Sequence, residues 1–288
     1  MYKIAHISDL HVNFNDEDGH GSNLIDLLSD IRDRNCDHVL VTGDIAENPD
    51  IQDFLYVREL FSHFDLLSSS GMSVIPGNHD IFGGAPAGTE FFRFPLICKK
   101  INYDEKLNQF IDLFKETFPD NKSFPYLKII NNIAIVGINS VDRWSAKNNP
   151  EGSNGRIDHS SFVKLKKILS SKEITDKYII VLIHHHFNKP KNDNEYPAHS
   201  LWLKVVNYKM KLYGRKKITE LFRKYKVNLV LHGHTHINEI YVSKKTSVIN
   251  SSACSIPITD DMIRKYNIIN IPGADDPEKI ITVETILI

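Results

Sequence analysis

Residues 2–11 read YKIAHISDLH, an apolar run of strand length that ends in an aspartate and a histidine. Four later runs follow the same scheme, in which an apolar strand is followed directly by polar side chains that can bind a metal ion. They read DHVLVTGD at 37–44, MSVIPGNHD at 72–80, KYIIVLIHHH at 177–186 and NLVLHGHTH at 228–236. Ligands of open α/β sheets gather beyond the carboxyl ends of the strands, so these five strand ends are where we expect a site.

Helical patterns between the first three runs indicate the class of the fold. Apolar residues keep helical spacing over 24–31, and a second helix is predicted to begin near Asp50. Strands that alternate with helices are typical of βαβ units and a mainly parallel sheet. From Glu239 onward the apolar runs follow one another without helices, which predicts antiparallel strands. Residues 81–100 have no clean period and are predicted to form a long loop.

The composition is that of a soluble globular protein from a reducing compartment. The chain has 288 residues, with 35 lysines and arginines against 36 acidic residues, so its formal net charge is −1. That balance argues against nucleic acid as a partner. The three cysteines are far apart and offer neither a disulfide framework nor a thiolate metal site. With no signal-peptide pattern and no apolar run of membrane-spanning length, we expect a cytoplasmic protein.

The five strand ends indicate a metal site more strongly together than any one of them does alone. In extended chain, residues i and i+2 face the same way, so the side chains of Asp9 and His11 would converge. Taken alone, the Asp9/His11 pair or the Gly43-Asp44 dipeptide would be interpreted as part of an ordinary turn. Three histidines at 184–186 already favour a metal site, because burying imidazoles at a strand end without partners is costly.

Aspartate, asparagine and histidine offer the oxygen and nitrogen ligands that suit Mn, Fe, Zn or Co. The candidates outnumber what one tetrahedral ion needs, and a bridging carboxylate at Asp44 would organise two ions about 3.5–4 Å apart. Because the candidates run from Asp9 to His236, the site assembles from most of the chain. We therefore expect one domain over residues 1–288.

In order and spacing, the motifs D-x-H, G-D, G-N-H-D, a histidine after an apolar strand, and G-H-x-H resemble those of the calcineurin-like metallophosphoesterase superfamily. The resemblance covers residues 1 to about 250 and is nearest to the bacterial phosphodiesterase-like branch. It implies a four-layer α/β/β/α sandwich with mixed sheets. It also implies two divalent ions, with Mn or an Fe/Mn pair favoured. One ion would be held by Asp9, His11, Asp44 and His236, and the other by Asp44, Asn78, His184 and His234.

The same resemblance implies a reaction and two further roles. The expected reaction is hydrolysis of a phosphodiester, phosphomonoester or pyrophosphate by a hydroxide that bridges the two ions. His79 would protonate the leaving oxygen as general acid, and Asp80 would orient His79. Glu47, where relatives often carry Asp or Asn, receives no role. Apart from the resemblance, Arg143 and His185 are candidates for contacts with the substrate. Arg143 could bind a phosphate with its forked guanidinium, but an ordinary surface arginine is the alternative that we favour.

A basic stretch inside the chain suggests how the substrate is shaped. Residues 189–226 hold eleven lysines or arginines and three acidic residues, a net charge of +8. One interpretation of the insertion around 187–226 is a cap over the metal ions that attracts a polyanionic substrate or an anionic lipid surface. The other is an ordinary helix with a solvated basic face and an apolar stripe on the core.

Three readings of the function stay open beside a phosphodiesterase acting on a small phosphoester. The first is a pyrophosphatase for lipid-linked or nucleotide-lipid substrates, peripherally bound at a membrane. The second is a non-catalytic interaction scaffold on the same fold, which would be expected to lose the ligands that this chain keeps. The third is a metal-binding regulator whose hydrolysis is vestigial. The oligomeric state is not predicted.

Overall fold

Two β-sheets lie face to face in the computed structural model, which describes residues 1–15, 19–86, 88–187, 210–243, 246–251, 253–256, 264–273 and 280–288. The first sheet has the order β13-β12-β1-β2-β3 and the second the order β10-β11-β9-β7-β5-β4. The strands of the first sheet are β1 (Tyr2–Ile7), β2 (His38–Val41), β3 (Met72–Val74), β12 (Lys265–Ile271) and β13 (Thr282–Leu287). Those of the second are β4 (Tyr126–Ile130), β5 (Ile133–Ile138), β7 (Tyr178–Ile183), β9 (Leu229–His232), β10 (Glu239–Ser243) and β11 (Thr246–Asn250). A short pair, β6 (Gly155–Arg156) and β8 (Leu212–Tyr213), forms a third sheet.

Seven α-helices accompany these strands in the described ranges. They are α1 (His20–Asp33), α2 (Ile51–His63), α3 (His79–Phe82), α4 (Phe94–Lys100), α5 (Tyr103–Leu113), α6 (His159–Leu169) and α7 (Arg215–Lys224). Short 3₁₀ turns cover Gly88–Arg93, Lys115–Thr117 and Lys172–Ile174. No helix among these described residues is both long and apolar enough to cross a bilayer.

Alternation along β7 shows how the layers stack. Ile180 and Leu182 join an apolar cluster that contains strand residues of both sheets and the buried faces of α1 and α2. Val181 and Ile183 point the other way and pack with α6 and α7. Because successive strand residues face opposite sides, one strand serves two apolar layers. The expected four-layer α/β/β/α sandwich is confirmed.

Strand directions follow the prediction in part. β1, β2 and β3 are parallel, and so are β5, β7 and β9. The C-terminal pairs β10–β11 and β12–β13 are antiparallel, as expected. However, β11 pairs parallel with β9, so the last third is not purely antiparallel.

The prediction of a long loop over 81–100 is wrong. This stretch holds the end of α3, a 3₁₀ turn and α4. Phe94 and Cys98, four residues apart, bury one face of α4 against Ile81 and Phe82. Leu96 and Ile97 on the same short helix stay exposed, and this mixture hides the helical period in the sequence.

The basic insertion around 187–226 is described only in part. Residues 188–209 lie outside the described residues, and with them most of the predicted apolar stripe around Trp202. The part that follows includes α7, which buries Ile218, Leu221 and Phe222 against the second sheet. This portion is thus a helix packed on the core, with its basic residues on the other face.

A buried lysine crosses from the second sheet to the first. Lys128 on β4 donates from Nζ to the carbonyl oxygens of Met72 (2.7 Å) and Thr117 (2.6 Å). Burial lowers the pKa of this amine to about 7. In the unfolded chain, the lysine has a pKa of about 10.4 and stays protonated above pH 7. Because the unfolded chain then binds more protons than the folded chain, the free energy of unfolding rises with pH between about 7 and 10.

We therefore expect the pH dependence of stability to depend on Lys128. Between pH 7 and pH 9, the free energy of unfolding should rise by about 2 kcal/mol more in the wild type than in Lys128→Met. Urea denaturation across this pH range measures the difference. Lys100→Met, at an exposed position, is the control and should keep the wild-type slope. Equal slopes for the wild type and Lys128→Met would contradict the assignment.

Candidate metal centre

The carboxyl ends of both sets of parallel strands meet at one edge of the sandwich. Three clusters of acidic and histidine side chains form there, each with its ligand atoms within 4.8 Å of one another. The clusters are Asp9, His11 and His236; His11, Asp44 and His79; and Asp44, His184 and His234. The structure thus brings together the residues expected from five separate strand ends.

Asp44 lies at the junction of these clusters. Its Oδ2 is 3.2 Å from His184 Nε2 and 4.0 Å from His11 Nε2. Its Oδ1 accepts a hydrogen bond from the backbone N–H of His79 at 2.8 Å. One carboxylate therefore faces both groups of histidines, the geometry that a bridging ligand requires.

The remaining candidate ligands pair up on either side of Asp44. His11 Nε2 lies 3.1 Å from His236 Nε2, and His184 Nε2 lies 3.1 Å from His234 Nδ1. Asn78 Oδ1 is 3.2 Å from His184 Nε2, on the same side as His234. Nitrogen and oxygen atoms this close together are placed where they could share a cation.

Five of the seven candidate ligands have left-handed backbone. The φ angles are 53° at Asp9, 49° at His11, 50° at Asp44, 75° at His234 and 58° at His236. Asp9 and His11 do converge as expected, but from left-handed turns and not from extended chain. Non-glycine residues with positive φ are uncommon and cluster at functional sites.

Glycines let the backbone approach the two carboxylates closely. A Cβ on Gly77 would overlap Oδ1 of Asp44, and a Cβ on Gly233 would overlap Oδ2 of Asp9. The glycines of the G-N-H-D and G-H-x-H motifs thus leave room for carboxylates contributed by other strands.

The charges at the centre fit a set of metal ligands. Burial raises the pKa of Asp9 to about 7, and burial lowers the pKa of His236 to about 3. Burial opposes ionisation of Asp44 too, but His184 and His79 hold its pKa well below the ordinary range. Asp9 Oδ2 and His234 Nε2 are buried and have no hydrogen-bond partner among the residues that the structure describes. Burial would lower the pKa of His184, but Asp44 raises it to about 9, whereas burial lowers the pKa of His234 and His236. A pair of divalent cations would satisfy the unpartnered acceptors beside these imidazoles.

Asp80 does not contact His79 in the expected way. Its carboxylate accepts hydrogen bonds from the backbone N–H groups of Ile45 (2.9 Å), Ala46 (3.1 Å) and Gly77 (2.8 Å). These bonds tie the end of β2 to the end of β3. The expectation that Asp80 orients His79 is therefore wrong, because α3 turns the Asp80 side chain towards these amides.

Glu47 takes the place expected of Asp80. Its Oε2 is 2.9 Å from His11 Nδ1 and 3.3 Å from His79 Nδ1, and its carbonyl oxygen is 3.1 Å from the same nitrogen of His79. Burial favours the neutral acid, but hydrogen bonds from the two histidines lower the pKa of Glu47 to about 2. Sequence reasoning missed this residue, and the only signal was its position three residues after Asp44.

The two candidate substrate residues both contact other side chains. The Arg143 guanidinium forms an ion pair with Asp104 and stacks 4.6 Å above the Tyr103 ring. His185 lies beside His234, with ring centroids 4.4 Å apart, but is 0% exposed and its Nδ1 is 2.8 Å from Ser140 Oγ. Arg143 thus forms the surface contact that was the alternative to a phosphate contact, and His185 is buried beside a proposed ligand. A role of either residue at the substrate stays a prediction.

Solved structures share this fold at low sequence identity. A dimetal phosphatase from Danio rerio has a TM-score of 0.58 and 13% identity, over 93% of this chain and 92% of that one. A purple acid phosphatase from yellow lupin (Lupinus luteus) seeds has a TM-score of 0.57 and 14% identity, over 93% of this chain and 49% of that one. The chain thus spans about half of the lupin protein.

Comparison by sequence gives no match among curated proteins. The family model for the calcineurin-like phosphoesterases, however, matches residues 2–238, which include every candidate ligand. The chain therefore belongs to the calcineurin-like phosphoesterase family.

Proposed function

We propose that this chain is a dinuclear metal-dependent phosphodiesterase. The observation that carries the proposal is the position of Asp44, whose carboxylate faces a histidine group on each side. One divalent cation would be held by Asp9, His11, Asp44 and His236. The other would be held by Asp44, Asn78, His184 and His234. Nitrogen and oxygen ligands in this mixture suit manganese, or iron with manganese.

Two divalent cations held by these residues would supply a hydroxide at neutral pH and would neutralise charge on phosphoryl oxygens. The chain itself would supply the acid for the leaving group. Burial would lower the pKa of His79, but the Asp44 and Glu47 carboxylates raise it to about 9. A protonated imidazole that keeps part of its surface exposed suits donation to a departing alkoxide.

Glu47 would act as a positioning residue for that acid. Its carboxylate and carbonyl oxygens both face His79 Nδ1, which leaves Nε2 to the substrate. Because the same carboxylate faces His11, Glu47 also orients a proposed metal ligand. Outer partners of this kind fix both the tautomer and the direction of a histidine.

The retained ligand set argues against a non-catalytic scaffold. The preference for diesters rests on the motif resemblance to phosphodiesterase-like relatives. A lipid-linked substrate is the second candidate. A panel of substrates distinguishes it from a small phosphodiester.

The first test combines metal content with a substrate panel. We expect the Mn-loaded wild type to bind about two ions per chain and to hydrolyse nitrophenyl diesters faster than monoesters, cyclic nucleotides or nucleotide-linked lipids. Asp44→Asn should lose at least one ion and about 100-fold or more in kcat/KM. Asp65→Asn is the matched control, since Asp65 is exposed and has a similar φ of 57°. Two bound ions without turnover on any ester would favour a vestigial regulator instead.

The second test concerns His79. We expect His79→Ala to keep its metal ions but to lose roughly 10²–10⁴ in kcat on alkyl esters, whose leaving groups need a proton. The loss on nitrophenyl esters should be much smaller, because nitrophenolate leaves without one. Rates on both ester classes, with metal content by elemental analysis, measure the difference. Equal losses on the two classes would remove His79 from the role of acid.

The third test separates the two contacts of Glu47. Glu47→Gln should lower kcat on alkyl esters by about tenfold and cause little further loss in the His79→Ala background. Such non-additivity means that Glu47 acts through His79. A loss of the same size in both backgrounds, with reduced metal content, would mean that Glu47 acts through His11 instead.

A further inference from the structure

Four large apolar side chains lie close together on the surface between α3 and α5. Phe92 is 82% exposed, Leu96 61%, Ile97 44% and Phe91 40%. They belong to the 3₁₀ turn Gly88–Arg93 and to α4, which together we call the 88–100 ridge. Single exposed apolar residues are ordinary, but a cluster within seven consecutive positions marks an interaction surface.

Basic residues are interleaved with these apolar ones. Arg93, Lys99 and Lys100 face a single acidic residue, Glu90, so the ridge has a net charge of +2 within a chain of net charge −1. Glu90 pairs with Arg93 at 3.3 Å, and Lys99 Nζ lies 5.7 Å from the Trp144 ring. The ridge therefore presents apolar tips with cations beside them.

The ridge is anchored to the chain that leaves the metal centre. Phe94 and Cys98 are buried against Ile81 and Phe82, which directly follow His79 and Asp80. The exposed residues thus sit on a packed base and are held on the side of the molecule that carries His79.

We propose that the 88–100 ridge docks this protein on an anionic lipid surface. Aromatic and aliphatic tips can enter the boundary between headgroups and acyl chains, while neighbouring lysines and arginines are attracted to anionic headgroups. Phe92 and Leu96 are the most exposed of the four, and a bilayer accepts protruding side chains of any shape.

The charges and the size of the ridge argue against two other partners, a second copy of this chain and a different protein. In a two-fold dimer of this chain, the ridge would meet its own copy and bring like cations together. A stable protein interface buries about 800 Å² on each partner, with pockets for its anchors. The ridge offers four exposed apolar side chains, whereas a standard protein interface uses about 20–30 residues a side. Membrane binding needs only a few inserted side chains.

Docking here would hold the metal centre within reach of phosphoesters carried by lipids. That consequence rests on the proposed function, but membrane binding itself does not.

Co-sedimentation of the full chain with vesicles tests the proposal. We expect binding to vesicles of phosphatidylcholine with phosphatidylglycerol, much weaker binding to phosphatidylcholine alone, and a decrease with salt. Phe92→Ser with Leu96→Ser should lower the partition coefficient by about tenfold or more. Lys99→Gln with Lys100→Gln should lower it by roughly tenfold and weaken the salt dependence.

Matched controls make the result specific to the ridge. Val163→Ser with Val242→Ser changes two exposed apolar residues elsewhere, on α6 and β10, and should bind vesicles as the wild type does. All variants should hydrolyse a soluble nitrophenyl ester at the wild-type rate, which separates failure of docking from failure of the proposed function. Absence of binding to anionic vesicles, or binding that the ridge variants do not change, would overturn the proposal. So would a wild-type dimer in sedimentation velocity that Phe92→Ser with Leu96→Ser dissociates.

Discussion

The structure depends on the burial of two carboxylates, Asp9 and Asp44, at the meeting edge of two sheets. Removing such groups from water costs several kcal/mol each unless positive charge and hydrogen bonds compensate. Backbone N–H groups supply part of this, since the His234 amide donates to Asp9 and the His79 amide to Asp44. The imidazoles and the proposed cations supply the rest, which explains why histidines end several different strands.

Holding these groups in place requires strained backbone at several positions. Left-handed φ at five proposed ligands costs of order 1 kcal/mol or more each, and persists only where the surroundings enforce it. The enforcement is visible between the ends of β1 and β2. The amides of Leu10 and His11 both donate to the Asp44 carbonyl, at 2.7 and 3.0 Å, and the Asp9 amide donates to the Gly43 carbonyl at 3.0 Å. The two strand ends therefore hold each other in the conformation that aims their side chains.

The sequence reveals which residues meet at the centre far better than how they meet. The motifs predict which residues meet, because apolar runs and ligand chemistry are local properties. The four layers of the fold follow from the family resemblance that these motifs carry. The motifs do not predict left-handed turns at Asp9 and His11, which depend on hydrogen bonds to another strand. They also suggest Asp80 as the partner of His79 because the two are adjacent, whereas the structure places Glu47 there from 32 positions earlier. Partners set by tertiary packing leave no trace in the spacing of a motif.

Glu47 also links the proposed acid to the proposed membrane surface. The chain that leaves α3 passes Gly84, whose amide donates to the Glu47 carbonyl at 3.0 Å, and a Cβ at Gly84 would overlap the Glu47 carboxylate. This chain then continues into the 88–100 ridge. The chain that leads into the ridge, rather than the ridge itself, therefore contacts Glu47 through Gly84, and Glu47 in turn faces the His79 ring. Because one stretch of backbone holds both features, a lipid surface bound at the ridge would lie at a defined orientation to the group proposed to protonate the leaving oxygen.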